Sequence, residues 1–89
     1  MRDIPDRDRP REKLATRGPQ ALTDTELIAL LLGGGTKGRD VREIAGGVER
    51  YLEKAGGSPS YGDLLTIEGI GPAKACEIMA CFELGRRYL

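Results

Sequence analysis

Apolar residues recur along this chain at helical spacing, and no segment alternates with period two, so the pattern predicts helices and no strand. Pro10 fits the first turn of a short helix that runs to about Arg17, where Gly18-Pro19 stops it. Thr23-Asp24-Thr25-Glu26 reads as a capping box. Leu27, Ile28, Leu30, Leu31 and Leu32 follow almost without a break, which predicts a central helix apolar on nearly all sides, ended by Gly33-Gly34-Gly35. Asp40 with Glu43 opens a third helix, with Val41, Ile44, Ala45, Val48 and Leu52 on one face. Ala55-Gly56-Gly57-Ser58-Pro59 breaks the chain again. Ser60 with Asp63 caps a short fourth helix holding Leu64 and Leu65. After a tight turn at Gly69-Ile70-Gly71, a fifth helix starts near Pro72 and runs toward Tyr88, its inner face marked by Ala75, Ile78, Met79 and Phe82. The expectation is an all-α domain of about five helices over residues 10–89, preceded by an extended arm at 1–9.

Composition supports this picture and narrows the chemistry. Aromatics make up 4% of the 89 residues and Trp is absent, so Leu, Ile, Ala and Val must build the core. Fourteen basic residues balance fourteen acidic ones, so any contact with phosphate must be local and few in number. There is no His, the commonest general base and metal ligand. No enzyme chemistry, metal or cofactor is expected. Cys76 and Cys81 lie five apart on one predicted helix. Their Cα atoms would be roughly 8–9 Å apart, beyond the disulfide limit, so they are expected as buried or half-buried thiols in a reducing compartment. No stretch is long and apolar enough to span a membrane, and the N-terminus has no signal-peptide pattern, so the cytoplasm is the expected location. The Arg2, Arg7, Arg9, Arg11, Lys13 and Arg17 cluster is interleaved with acids and reads as a solvated arm.

The most informative string is Leu64-Leu65-Thr66-Ile67-Glu68-Gly69-Ile70-Gly71-Pro72-Ala73-Lys74-Ala75. Its two glycines should allow backbone angles closed to other residues and leave the turn's surface bare, while Ile70 points inward. Bare N–H groups at a helix start favour a phosphate, with Lys74 one turn in and able to assist. Ala75 should let the helices pack closely. The blander alternative is a sharp interhelical turn that binds nothing, and Glu68 sets a negative charge beside the proposed phosphate. A second candidate is the turn Gly33-Gly34-Gly35-Thr36-Lys37-Gly38-Arg39, where Gly33, Gly35, Thr36, Lys37 and Arg39 would form a partner hairpin; its alternative is a solvated Gly loop. It lacks the spacing of a nucleotide P-loop. A faint repeat lays Leu30–Val48 over Leu65–Phe82.

The 64–75 string resembles the helix-hairpin-helix motif of DNA polymerases, glycosylases and ligases. That resemblance implies sequence-independent binding of DNA phosphates at Gly69, Ile70, Gly71, Ala73 and Lys74. It also implies a monovalent cation site at the carbonyls of Leu65, Ile67 and Ile70. Three further strings, Arg9-Pro10-Arg11-Glu12-Lys13-Leu14, Gly18-Pro19-Gln20-Ala21-Leu22-Thr23-Asp24-Thr25-Glu26-Leu27 and Glu83-Leu84-Gly85-Arg86-Arg87, resemble the N-terminal domain of the RadC family. Gly34 departs from that family's usual Thr or Ser, and Thr23 from its Ser. The likeness implies a tandem helix-hairpin-helix bundle of SAM/RuvA-C-like type, with hairpins at about 23–55 and 60–88. In that family a JAB/MPN-type domain follows and holds zinc with two His and an Asp, which this chain does not contain. The resemblance thus fits the N-terminal domain alone, cut from a longer protein or standing as a short relative. The function it implies is a weak, sequence-independent DNA-binding module associated with DNA repair. The alternative is a protein-interaction or structural module that positions the fused domain or dimerises.

Overall fold

A computed structural model describes residues 9–33 and 40–89. Among these the chain is all-helical, with no strand. The helices are α1 (Pro10–Arg17), α2 (Asp24–Leu32), α3 (Val41–Ala55), α4 (Tyr61–Leu64) and α5 (Pro72–Tyr88). One turn of 3₁₀ helix, Pro19–Ala21, joins α1 to α2 and has no counterpart in the apolar pattern. The expected 1–8 part of the arm and residues 34–39 lie outside the described residues, as does the middle of the internal repeat.

The caps explain where the helices start. The Thr23 hydroxyl accepts from the Glu26 N–H at 3.1 Å, while the Glu26 carboxylate accepts from the Thr23 N–H at 2.9 Å, a reciprocal capping box. Asp40 caps α3 by accepting from the Arg42 N–H, and Ser60 caps α4 by accepting from the Asp63 N–H. Pro10 and Pro72 sit in first turns, where a missing N–H costs little.

The core is one cluster of Leu32, Ile44, Val48, Leu64, Ile70, Ala75 and Ile78, with Val41, Leu52, Ile67, Met79 and Phe82 packed around it. Helix α3 buries Ile44, Ala45 and Val48, the face its 3.6-residue period marks. Helix α2 packs most extensively on α3 and also meets α1 and α5, while α4 packs on α5. Helix α1 buries no residue. It is tied to α2 by the half-buried pair Lys13–Glu26, Nζ to Oε2 at 3.0 Å. The Thr23 N–H and then the Lys13 ammonium hold the Glu26 carboxyl below its ordinary value.

Two expectations change. Helix α2 is apolar nearly all round but is not enveloped, because Leu27 and Leu31 stand 36% and 37% exposed on a side where no described helix covers them. Both cysteines are exposed free thiols rather than buried or half-buried ones. They lie to either side of the inner face that α5 turns to the core through Ala75 and Ile78.

Candidate functional site

The hairpin is built from short-range backbone bonds. Thr66 N–H donates to the Asp63 carbonyl at 3.0 Å, Ile67 N–H to Leu64 at 3.1 Å, and Ile70 N–H to Ile67 at 3.0 Å. The Thr66 hydroxyl also donates to the Asp63 carbonyl, at 2.6 Å. These bonds end α4 after a single turn and fold the chain back toward α5.

The two glycines differ in what they do. Gly69 has φ +92°, a conformation that L side chains rarely adopt. A Cβ there would also stand 2.7 Å from Cδ1 and Cγ1 of Ile44, which is 1% exposed. Gly69 is thus fixed twice, by backbone angle and by the close approach of α3. Gly71 has φ −100° and ψ −172°, extended backbone that any residue adopts, and a Cβ there would meet nothing within 4 Å. The expectation that both glycines relieve backbone strain is therefore corrected for Gly71. Neither its conformation nor its surroundings among the described residues require a glycine. Between them Ile70 is 5% exposed and joins the core, as its apolar character predicts.

Gly71 is the N-cap of α5 and offers no side-chain cap. Its carbonyl accepts from the Ala75 N–H at 2.9 Å. Pro72 has no N–H, and the N–H groups of Ala73 and Lys74 find no acceptor among the described residues. Ala73 is exposed, as are Gly71 and Glu68. The start of a 17-residue helix thus presents its positive dipole end, with no side-chain cap and with these donors unmatched among the described residues.

Lys74 is placed differently from its expected role. Its ammonium donates to the Leu32 carbonyl at 3.2 Å, in a half-buried position. It caps the C-terminal end of α2, where a cation also suits the helix dipole. Two donor hydrogens remain on the ammonium. This contact brings the start of α5 against Leu32 and the adjoining Gly33, where the other candidate turn begins. Gly33 itself has φ +81° and its N–H bonds to the Ala29 carbonyl at 3.1 Å. Gly35, Thr36, Lys37 and Arg39 lie outside the described residues. Of the three carbonyls named for a cation, that of Ile67 already accepts from Ile70.

The pattern of apolar positions gave no sign of two supports of the hairpin. The Tyr51 hydroxyl donates to Asp63 Oδ2 at 3.1 Å and accepts from the Ser60 N–H at 3.0 Å, pinning the start of α4 to α3. Gly47, within α3, faces Ile67, whose Cγ2 would lie 3.3 Å from a Cβ there. Two adjacent glycines inside a helix, Gly46-Gly47, were a usable signal, because glycine weakens a helix interior and so asks for a packing reason. The reach of a Tyr hydroxyl to the next helix leaves no such trace.

No helix among the described residues is long and apolar enough to cross a membrane, and among them no group of acids and cysteines is placed to hold a metal. No solved structure matches this chain. A UPF0758 protein of Methanospirillum hungatei is 54% identical over 86 residues, covering 97% of this chain and 38% of that relative. UPF0758 proteins of Geobacillus kaustophilus and Methylibium petroleiphilum are each 44% identical, over 98% and 100% of this chain and 39% and 41% of their own lengths. The chain spans about two-fifths of the length of these curated relatives. The model of the UPF0758 N-terminal family matches residues 1–76, reaching into the first turn of α5, and the chain belongs to the UPF0758 family.

Proposed function

We propose that the hairpin at Ile67–Lys74 is a helix-hairpin-helix element that holds the sugar-phosphate backbone of DNA without reading its sequence. On this reading the chain is a non-catalytic DNA-binding module of a RadC-like protein associated with DNA repair. One observation carries the proposal: among the described residues, the N–H groups of Ala73 and Lys74 have no acceptor at the outward start of α5, behind a Gly71 that no described contact requires to be glycine. A phosphate oxygen supplies the missing acceptor, and the bare Gly71 lets it approach. Lys74 contributes mainly by fixing the hairpin to α2, with its spare donors secondary. The zero net charge and the nearby Glu68 make the affinity low and the dependence on salt shallow. The two exposed free thiols suit a reducing, cytoplasmic setting. The JAB/MPN-type domain of the resembling family remains the proposed neighbour in longer relatives.

Titrating duplex and single-stranded DNA into the ¹⁵N-labelled chain at low salt tests this by NMR. The amides of Gly69 to Lys74 should shift and recover as salt rises. Ala73→Glu, an exposed change that sets a carboxylate before the donors, should abolish the shifts while leaving the fold intact. Hairpin amides that stay still, or shifts untouched by Ala73→Glu, would sink the proposal. A second reading, a protein-interaction module with no DNA binding, is favoured by the exposed apolar side of α2.

A further inference from the structure

An apolar groove of about 530 Å³ opens between α2, α3 and α5, far along α5 from the hairpin. Its floor is Leu27, Ile28, Leu31, Leu52 and Phe82, with Cys81 at its edge. Its charged rim is entirely acidic: Asp24, Glu49 and Glu53. Glu49 accepts a hydrogen bond from the Thr25 hydroxyl, while Asp24 and Glu53 have no side-chain partner among the described residues. The complement to such a groove is an apolar segment carrying basic residues.

The chain carries that segment itself. In the last turns of α5, Leu84 is 56% and Tyr88 82% exposed, and Arg86 and Arg87 lie between them. On a helix, positions 81, 82, 85, 88 and 89 share one face, so the groove's Cys81–Phe82 edge continues directly through Gly85 to Tyr88. Gly85 needs explanation. It lies inside a helix, where glycine costs about 0.5–1 kcal/mol relative to Ala. A Cβ there would meet only Leu89 Cδ1, at 3.9 Å, an ordinary contact. Nothing among the described residues calls for a glycine at this point, whereas a second helix crossing closely over it would.

We infer that this face pairs two copies of the chain, α5 against α5 antiparallel across Gly85, with Tyr88 of each copy seated in the acidic-rimmed groove of the other. A two-fold arrangement makes the contact self-complementary, because the groove and its occupant lie on the same helix face. An antiparallel crossing centred on residue 85 sets position 88 of one helix opposite position 82 of the other. Arg86 flanks that face, so each copy's Arg86 is brought toward the other's acidic rim, while Arg87 lies on the opposite side of the helix. Both arginines bind Glu83 of their own helix, Arg86 at 2.6 Å and Arg87 at 2.9 Å, at exposed sites where such pairs are readily rearranged.

Sedimentation equilibrium of the 89-residue chain over a wide concentration range tests this. The expected result is a reversible rise to twice the monomer mass that weakens as salt is added. Gly85→Leu favours the helix but fills the crossing, and should weaken pairing on the order of tenfold or more, since overpacking a close contact costs at least that factor. Leu31→Glu, at an exposed position, puts a charge into the groove and should do the same with helix content unchanged. A chain that stays monomeric at the highest concentration overturns the inference, whether or not a basic apolar peptide then binds the groove. So does a dimer that both variants leave intact, because its contact lies elsewhere.

Discussion

Gly69→Ala tests the account of the hairpin most directly. The new side chain would have to accept φ +92°, which costs an L residue about 1–3 kcal/mol. Its Cβ would press on Ile44 Cδ1 and Cγ1 at 2.7 Å, and Ile44 is enclosed in the core. Overpacking of this kind costs another ~1–3 kcal/mol. The sum of about 2–6 kcal/mol is a large part of the roughly 4–13 kcal/mol expected for a chain of 89 residues. With a urea slope of about 1 kcal/mol per molar, the unfolding midpoint should fall by about 2 M or more, or the variant should be unfolded without denaturant. Gly71→Ala is the control. Its φ is ordinary and its surroundings are open, so its midpoint should stay within about 0.5 M of the parent. It should nevertheless weaken DNA binding if the bare turn is where a phosphate approaches. Equal midpoints for the two variants would refute the reasoning, because they would mean that neither the backbone angle nor the contact with Ile44 constrains Gly69.

Further outcomes follow from single contacts. Tyr51→Phe removes a donor to Asp63 and an acceptor for the Ser60 N–H, so stability should drop by about 1 kcal/mol, seen as a melting temperature lower by about 4–8 °C. Lys74→Met keeps an unbranched side chain but strips the charge from the end of α2; a loss of about 0.5–1 kcal/mol in urea unfolding is expected, with amide shifts spreading to the Leu32–Gly33 end of that helix. The Glu26 carboxyl is held below its ordinary 4.5 by the Thr23 N–H first and Lys13 second. Its contribution to stability is therefore complete above pH 4.5 and is lost as pH falls through the lowered folded value. Urea midpoints measured down the acid limb should decline less steeply in Glu26→Gln, and an unchanged slope would contradict the assignment.

The sequence by itself determined the helices. Capping residues and Gly-Pro breaks are local chemistry, settled within four residues, so Thr23, Ser60 and Pro72 mark helix starts before any packing is known. The 3.6-residue period likewise named Ile44, Ala45 and Val48 as the buried face of α3, because one stripe meets the rest of the fold. The same logic reached its limit in α2. Its run of leucines has no polar side to orient it, so only the placement of α3 and α5 decided that Leu32 is enclosed and Leu31 is not.

Tertiary structure alone also separated residues that look alike in the string. Gly69 and Gly71 read as one motif. Yet the first is fixed by the approach of Ile44 from a helix 25 positions earlier, while nothing among the described residues constrains the second. Lys74 reads as a free cation at a helix start, and the fold instead sets its ammonium on the Leu32 carbonyl, 42 positions away. Such contacts depend on which helix ends the packing brings together, and distance along the chain carries no record of that.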